Sequence, residues 1–224
     1  MPRVARIVLP GLPHHIIQRG NNRQDVFFVD ADRTRYLKIL REQCALYGLA
    51  IEGFCLMTNH IHLIATPEHE DSLAKAVGRT HFRYTQYVNR LHRRSGHLWQ
   101  NRFYSCAMDE AHFFEGMRYV ECNPVRARMV RAPWRYPWSS AAQHTGDGPG
   151  DGTLQDNLWR NKATPAMWKD FLREHNDEMT ENIRLSTSRG RPLATDSFLS
   201  KLERRLNRRL RPLPVGRPTT TKKK

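Results

Sequence analysis

Residues 49–66 constrain this chain most. Two strand-like runs, 49–57 and 60–66, are separated only by Thr58-Asn59, and so short a connection implies an antiparallel hairpin. The second run begins His60-Ile61-His62-Leu63-Ile64. Strand side chains alternate faces, so His60 and His62 project together while Ile61 packs behind them. Phe54 and Leu56 before the pair, and Leu63 and Ile64 after it, place it on a central strand. Histidines there must face a cleft or find partners, because burying them unpaired is costly. A polar strand face with two exposed histidines is the plain alternative. Two neutral imidazoles on one rigid face can hold a divalent cation.

The flanking pattern supplies the rest of a sheet. Residues 14–19 read as a first strand, closed by the turn-rich Gly20-Asn21-Asn22. With Asp30 as N-cap, Tyr36, Leu37, Leu40, Cys44 and Tyr47 follow helical spacing up to Gly48. A long amphipathic helix over 71–94 carries Leu73, Val77, Tyr84, Val88 and Leu91 on one stripe. Residues 102–108 read as a fourth strand, and 109–123 as a helix that Pro124 ends. The order βαββαβ plus a helix predicts an α+β fold, a ferredoxin-like antiparallel sheet with helices on one face. That fold hosts many functions and decides no activity.

Beyond residue 140 the composition changes. Residues 144–153 read as a flexible loop, and a helix is expected around Pro165–His175. A second short helix spans Asp196–Leu210, capped by Thr195 or Asp196, with Arg204, Arg205, Arg208 and Arg209 on one basic face. The last residues, including Gly216-Arg217-Pro218, read as disordered. The expected division is thus a domain over 1–140, a loop and helical extension over 141–183, and a basic tail over 184–224.

Charge identifies the class of partner. The 224 residues carry 37 Lys+Arg against 22 Asp+Glu, a net +15. Of these, 13 Lys+Arg lie between Arg184 and Lys224, opposed only by Asp196 and Glu203. A basic excess so placed predicts a polyanion, with nucleic acid ahead of a membrane surface. No apolar run approaches the roughly 20 residues of a spanning helix, and the first residues lack the apolar core of a signal peptide. The four cysteines, at 44, 55, 106 and 122, form no metal or redox pair motif. A cytoplasmic, nucleoid-associated protein is expected.

Tyr119 and Asn123 lie one helical turn apart and are neighbours. Phe113, Met117 and Val120 can form the buried stripe of that helix, leaving Tyr119 and Asn123 on another face. A tyrosine on an amphipathic helix is more often a core residue with a satisfied hydroxyl, but this one has arginines nearby at 118, 126 and 128. The Asn123 oxygen could join a metal or merely cap the helix, and Arg126 could hold phosphate. Trp99, Phe103 and Tyr104 interleave with Gln100, Asn101 and Arg102, the aromatic and basic mixture of single-strand binders. A core role for these aromatics is the alternative, and the expected one for Phe103. Arg3, Arg6, Arg19 and Arg23 could hold the foot of a DNA hairpin or simply be solvated. The same choice applies to Arg-Gly-Arg-Pro at 189–192, a possible minor-groove hook.

Five segments in order resemble the REP-associated tyrosine transposases of the HUH endonuclease superfamily. They are Val8-Leu9-Pro10-Gly11 through Gln18-Arg19-Gly20-Asn21-Asn22-Arg23, Met57-Thr58-Asn59-His60-Ile61-His62-Leu63, Leu98-Trp99-Gln100-Asn101-Arg102-Phe103, Arg118-Tyr119-Val120-Glu121-Cys122-Asn123-Pro124-Val125-Arg126-Ala127, and Tyr136-Pro137-Trp138-Ser139-Ser140. The resemblance covers residues 8–140. It implies that His60 and His62 are the metal-binding pair, Asn123 a third ligand of less secure role, and Tyr119 the nucleophile. It further implies Mg²⁺ or Mn²⁺, no nucleotide cofactor, a 5′-phosphotyrosine intermediate, and single-stranded or hairpin DNA of the palindromic REP type as substrate. Arg19, Arg23, Trp99, Gln100, Asn101, Arg102, Arg126 and the arginines at 204, 205, 208 and 209 are the expected DNA contacts. A non-catalytic binder of structured DNA or RNA on the same fold is the competing expectation. Monomer and homodimer stay open, as does whether the tail binds DNA or restrains the active site.

Overall fold

The computed structural model describes residues 6–155 and 157–211. Four strands make one antiparallel sheet: β1 (His14–Arg19), β2 (Leu49–Leu56), β3 (His60–Pro67) and β4 (Tyr104–Ala107), in the spatial order β2-β3-β1-β4. Helix α1 (Asp30–Tyr47) joins β1 to β2, and α2 (Ser72–Leu91) joins β3 to β4. This is the ferredoxin-like arrangement expected.

The alternation of each strand divides its residues between two cores. Ile16, Phe54, Leu56, Ile61 and Leu63 pack with Tyr36, Leu40, Val77 and Tyr84 of α1 and α2. The α1 start is held by Asp32 rather than Asp30: its carboxylate accepts from the Phe28 and Val29 amides at 2.8 and 3.1 Å. Val29 therefore occupies the N-cap position. Gly48, with φ +60°, closes the helix in the left-handed conformation open to glycine.

The opposite face is covered as well. Cys55, Ile64, Cys106 and Met108 pack there with Phe113, Met117 and Val120 of α3 (Glu110–Glu121). Two glycines let α3 lie close to the sheet. A Cβ on Gly53 would come to 2.7 Å from the Met117 sulfur, and one on Gly116 to 2.6 Å from the Met108 sulfur. Glu121 fixes the end of α3 from a fully buried position. Its carboxylate accepts from Ser140 Oγ at 2.5 Å, His144 Nδ1 at 2.6 Å and Trp168 Nε1 at 2.8 Å. Buried charge survives when hydrogen-bonded in this way.

α3 stops at Glu121, not at Pro124. Pro124 sits in the first turn of a separate short helix, α4 (Asn123–Arg126), where its missing N–H is no loss. Four helices follow with bounds Ala141–His144 (α5), Asn157–Arg160 (α6), Pro165–Phe171 (α7) and Asp177–Arg189 (α8), and then α9 spans Asp196–Leu206. α8 packs on β4, β1 and α3. The expected boundary between 183 and 184 falls inside it, and the first part of the basic segment is a structural wall. α9 docks through Leu199 and Leu202 onto Ile7, Leu9 and Ala107, leaving Arg204 and Arg205 exposed. Gly190 ends α8 with φ +60°, and Arg191 donates to the carbonyls of Arg209 and Leu210 at 3.3 and 3.4 Å. The 189–192 segment is thus a turn between helices. Arg3 and the segment expected to be disordered around 216–218 lie outside the described residues.

Candidate active site

The register of β1 on β3 pairs Ile17 with His62 and His15 with Ile64. His60, His62, His15, Ile17 and Arg19 therefore share the face that α3 and α8 cover. A cavity of about 560 Å³ opens there, lined by His60, His62, Tyr119, Asn123, Arg19 and Gln100 among others. Residues expected from four separate sequence segments thus meet in one place.

Both imidazoles are neutral donors at pH 7. Burial, and secondarily Arg19, pushes the His60 pKa down to about 4. Burial drives His62 well below the ordinary histidine value, with His60, His15, Arg126 and Arg19 adding to it. Hydrogen bonds constrain the tautomers. His60 Nδ1 lies 2.6 Å from Asn59 Oδ1, while Asn59 Nδ2 donates to the Arg23 carbonyl at 3.1 Å. An amide oxygen only accepts, so His60 carries its proton on Nδ1 and keeps the Nε2 lone pair. His62 Nδ1 lies 2.9 Å from His15 Nε2, and His15 Nδ1 lies 2.8 Å from Thr187 Oγ1 on α8. This hydrogen-bond chain is satisfied with protons running in either direction; the direction that frees the His62 Nε2 lone pair has His62 Nδ1–H donating to His15 Nε2 and His15 Nδ1–H donating to Thr187 Oγ1. His15 is itself buried, which holds its pKa near 3, with Arg126 adding to the effect.

Tyr119 is 7% exposed, its ring edge-on to His15 and His62 with centroids 5.3 and 5.6 Å away. Arg126 lies over that ring at 4.4 Å and donates to the Tyr119 carbonyl at 2.5 Å. Arg184 of α8 also hydrogen-bonds Tyr119. Burial lowers the Arg184 pKa, but hydrogen bonding to Tyr119 and Glu181 outweighs it and leaves the value raised. Asn123 Nδ2 donates to the Tyr119 carbonyl at 3.5 Å, a weak cap. Two cations on the nucleophile candidate suit an anionic substrate phosphate. Among the described residues no group of three His, Cys, Asp or Glu could hold a metal. Asn123, which lines the same cavity, carries an amide oxygen.

Other expected contacts lie elsewhere. Arg118 faces away, paired with Glu115 at 2.5 Å and stacked over Phe171 at 4.2 Å. Arg23 is exposed on the turn after β1. Asn101 and Arg102 line a different cavity. Trp99 is buried in the α1–α2 core, its ring 4.5 Å from His81 and near Tyr36 and Tyr84, so it has no face to offer a base. Phe103 is core, as expected. Arg204 and Arg205 sit in the last turn of α9, whereas Arg208 and Arg209 follow it, because the helix ends at Leu206 with Asn207 left-handed rather than at Leu210. His15, Thr187 and Arg184 were not expected. The α8 that carries two of them had local signals, an Asn176 N-cap before two acids and a Gly190 stop.

Comparison with known proteins places the chain in a family. Residues 9–123 match the family model described as "Transposase IS200 like", just over half of the chain. The chain belongs to that family of DNA transposases. Its fold matches a solved REP-associated tyrosine transposase bound to a REP hairpin, with a TM-score of 0.57 and 18% identity over 67% of this chain and 93% of that one. A putative transposase from Deinococcus radiodurans R1 aligns at 22% identity over 57% of this chain and 92% of its own, with a TM-score of 0.38. No curated protein is similar enough to count as a relative. No helix among the described residues is long and apolar enough to cross a membrane.

Proposed function

We propose that this protein is a metal-dependent, single-tyrosine DNA endonuclease and strand transferase acting on single-stranded or hairpin DNA. The observation that carries the reading is the convergence of His60, His62, Asn123 and Tyr119 on one cavity. Two neutral imidazoles with Nδ1 engaged, beside an amide, form a donor set that suits Mn²⁺ or Mg²⁺. The cation would neutralise charge on the scissile phosphate and orient it. Tyr119 Oη attacks phosphorus and the P–O3′ bond breaks. The phenolic proton ends, in net terms, on the departing 3′-oxygen. A 5′-phosphotyrosine and a 3′-hydroxyl result, so rejoining needs no ATP. Arg126 and Arg184 hold Tyr119 and offer charge to the phosphate as it approaches. That a protein of the same fold is bound to a REP hairpin supports hairpin DNA as substrate.

The test is a denaturing gel after incubation with Mn²⁺ and a hairpin oligonucleotide carrying single-stranded flanks. A covalent adduct is expected, lost in Tyr119→Phe while hairpin affinity is kept. An adduct that persists in that variant would move the role to Tyr104, which lines the same cavity. Binding without any wild-type adduct would make the protein a non-catalytic DNA binder.

A further inference from the structure

A second cavity, of about 730 Å³, lies between α2 and the 96–103 segment, with Gln18, Phe82, Asn89 and Trp99 on its walls beside Arg6 and Arg102. Its size is that of a small-ligand pocket. Its polar groups are unusually incomplete. Gln18 is 2% exposed and spends Nε2 on the carbonyls of Gln100 and Asn101 at 3.1 and 3.3 Å. Its Oε1 has no hydrogen-bond partner, and neither has the indole N–H of Trp99, itself 7% exposed. Asn89 uses Nδ2 on the Gly96 carbonyl at 3.1 Å and leaves Oδ1 unpartnered. Native folds leave few buried polar atoms in this condition, and one cause is a ligand that completes them.

The remaining walls point to the ligand. A buried acceptor and a buried donor among the lining residues match the edge of a nucleobase, which carries both kinds of group. Phe82 is 55% exposed and gives a flat aromatic face, the platform single-strand binders use. Arg6 lies over the Phe103 ring at 3.6 Å and donates to its carbonyl at 3.0 Å. Burial, and then Arg102, holds the Arg6 pKa down to about 10. Among the described residues neither arginine forms an ion pair with a carboxylate, which leaves both for a phosphate. This cavity lies on the α2 face of the sheet and the Tyr119 cavity on the α3 face, and one loop borders both. Gln100 lines the Tyr119 cavity, and the next two residues, Asn101 and Arg102, line this one.

We propose that this cavity is a nucleotide pocket that takes one unpaired base of the strand Tyr119 cuts. The base lies on Phe82 with its polar edge toward Gln18 and Trp99, and its phosphate lies on Arg6 and Arg102. The inference rests on the reading of single-stranded DNA as substrate. It gives Trp99 a role through its N–H edge, in place of the stacking face that the core occupies.

The test compares a flush-ended hairpin with the same hairpin carrying a single-stranded flank, by fluorescence anisotropy. Phe82→Ala and Arg102→Ala change exposed side chains and keep the fold intact. Phe82→Ala is expected to weaken binding of the flanked hairpin roughly 5- to 150-fold, the range for loss of one stacking aromatic. Affinity for the flush-ended hairpin should not change. An abasic scan along the flank should find one position where removing the base reproduces that loss in the wild type and adds nothing in Phe82→Ala. A flat scan, or equal losses on both hairpins, overturns the pocket. Adduct formation is scored in the same samples. A flat scan with an adduct refutes the pocket alone, whereas a positive scan without an adduct refutes the cleavage reading alone.

Discussion

His15 is the most informative single residue to change. It is buried, with Nε2 2.9 Å from His62 Nδ1 and Nδ1 2.8 Å from Thr187 Oγ1. We predict that His15→Leu, which puts an apolar side chain of similar bulk in its place, strands His62 Nδ1, whereas Thr187 Oγ1 keeps Cys106 Sγ at 3.2 Å. One stranded buried group costs about 1–3 kcal/mol, so the fold should lose roughly that much. Against a typical stability of about 5–15 kcal/mol this is measurable without unfolding the domain. The functional effect is separable. Without His15 the His62 ring can turn or change tautomer, and loss of such a supporting group typically weakens metal affinity about 10- to 100-fold. Urea melts give the stability change, and titration of Mn²⁺ followed by its free-ion electron paramagnetic resonance gives the affinity. Thr187→Val breaks only the outer hydrogen bond and should give a smaller change of the same sign in both. A His15→Leu protein that is destabilised but binds Mn²⁺ like the wild type would show His15 to be packing alone, and the relay idea would fail.

Three further outcomes are expected. His60→Ala and His62→Ala should both remove cleavage and weaken Mn²⁺ binding in the same titration, but His62→Ala should also destabilise the fold, since His62 is 2% exposed and anchors His15. Unaltered Mn²⁺ binding in either variant would remove that residue from the ligand set. His14, His15 and His81 have pKa values of about 4, 3 and 3 in the fold, all lowered mainly by burial, against about 6.5 unfolded. The unfolded chain therefore binds more protons below pH 6.5, and stability present above that value is lost as pH falls. At about 1.4 kcal/mol per histidine per pH unit the three should cost roughly 4 kcal/mol by pH 5.5, and urea melts showing equal stability at pH 7.5 and 5.5 would contradict it. Finally, replacing exposed Arg204 and Arg205 by Ala should flatten the logarithmic salt dependence of DNA binding by roughly 1.4 to 1.8, at 0.7 to 0.9 per phosphate contact. The cut position should be preserved, because phosphate contacts do not read sequence; an unchanged slope would place both arginines off the DNA.

Local patterns specify much of this fold. The first strand over 14–19 and the helix ending at Gly48 rest on short-range patterns and turn residues, and both stand in the structure. The shared face of His60 and His62 follows from strand alternation alone. Errors arose where a distant contact decides. Trp99 sits among polar and basic neighbours that suggest a stacking platform, yet α1 and α2 close over its ring. The helix over 109–123 looked continuous because nothing local marks the break at Cys122, whereas Pro124, which looked like a terminator, begins a new turn. The partner of His62 was least legible: His15 is 47 residues away and its own partner Thr187 is 172 beyond that.

This last pairing changes what the C-terminal segment is. The family match ends at residue 123, and a basic stretch after residue 184 reads most simply as an electrostatic handle. Yet α8 supplies Thr187 to the histidine relay and Arg184 to Tyr119, and it forms one wall of the cavity. Glu121, two residues past Tyr119, is bonded to Ser140, His144 and Trp168, so the helix carrying Tyr119 is also fixed by residues beyond the match. Motif-bearing strands and helix bring the reactive groups to one face, but their orientation depends on packing from residues 140–189. A truncation at the end of the matched segment would therefore keep His60, His62, Tyr119 and Asn123 and lose the contacts that orient them.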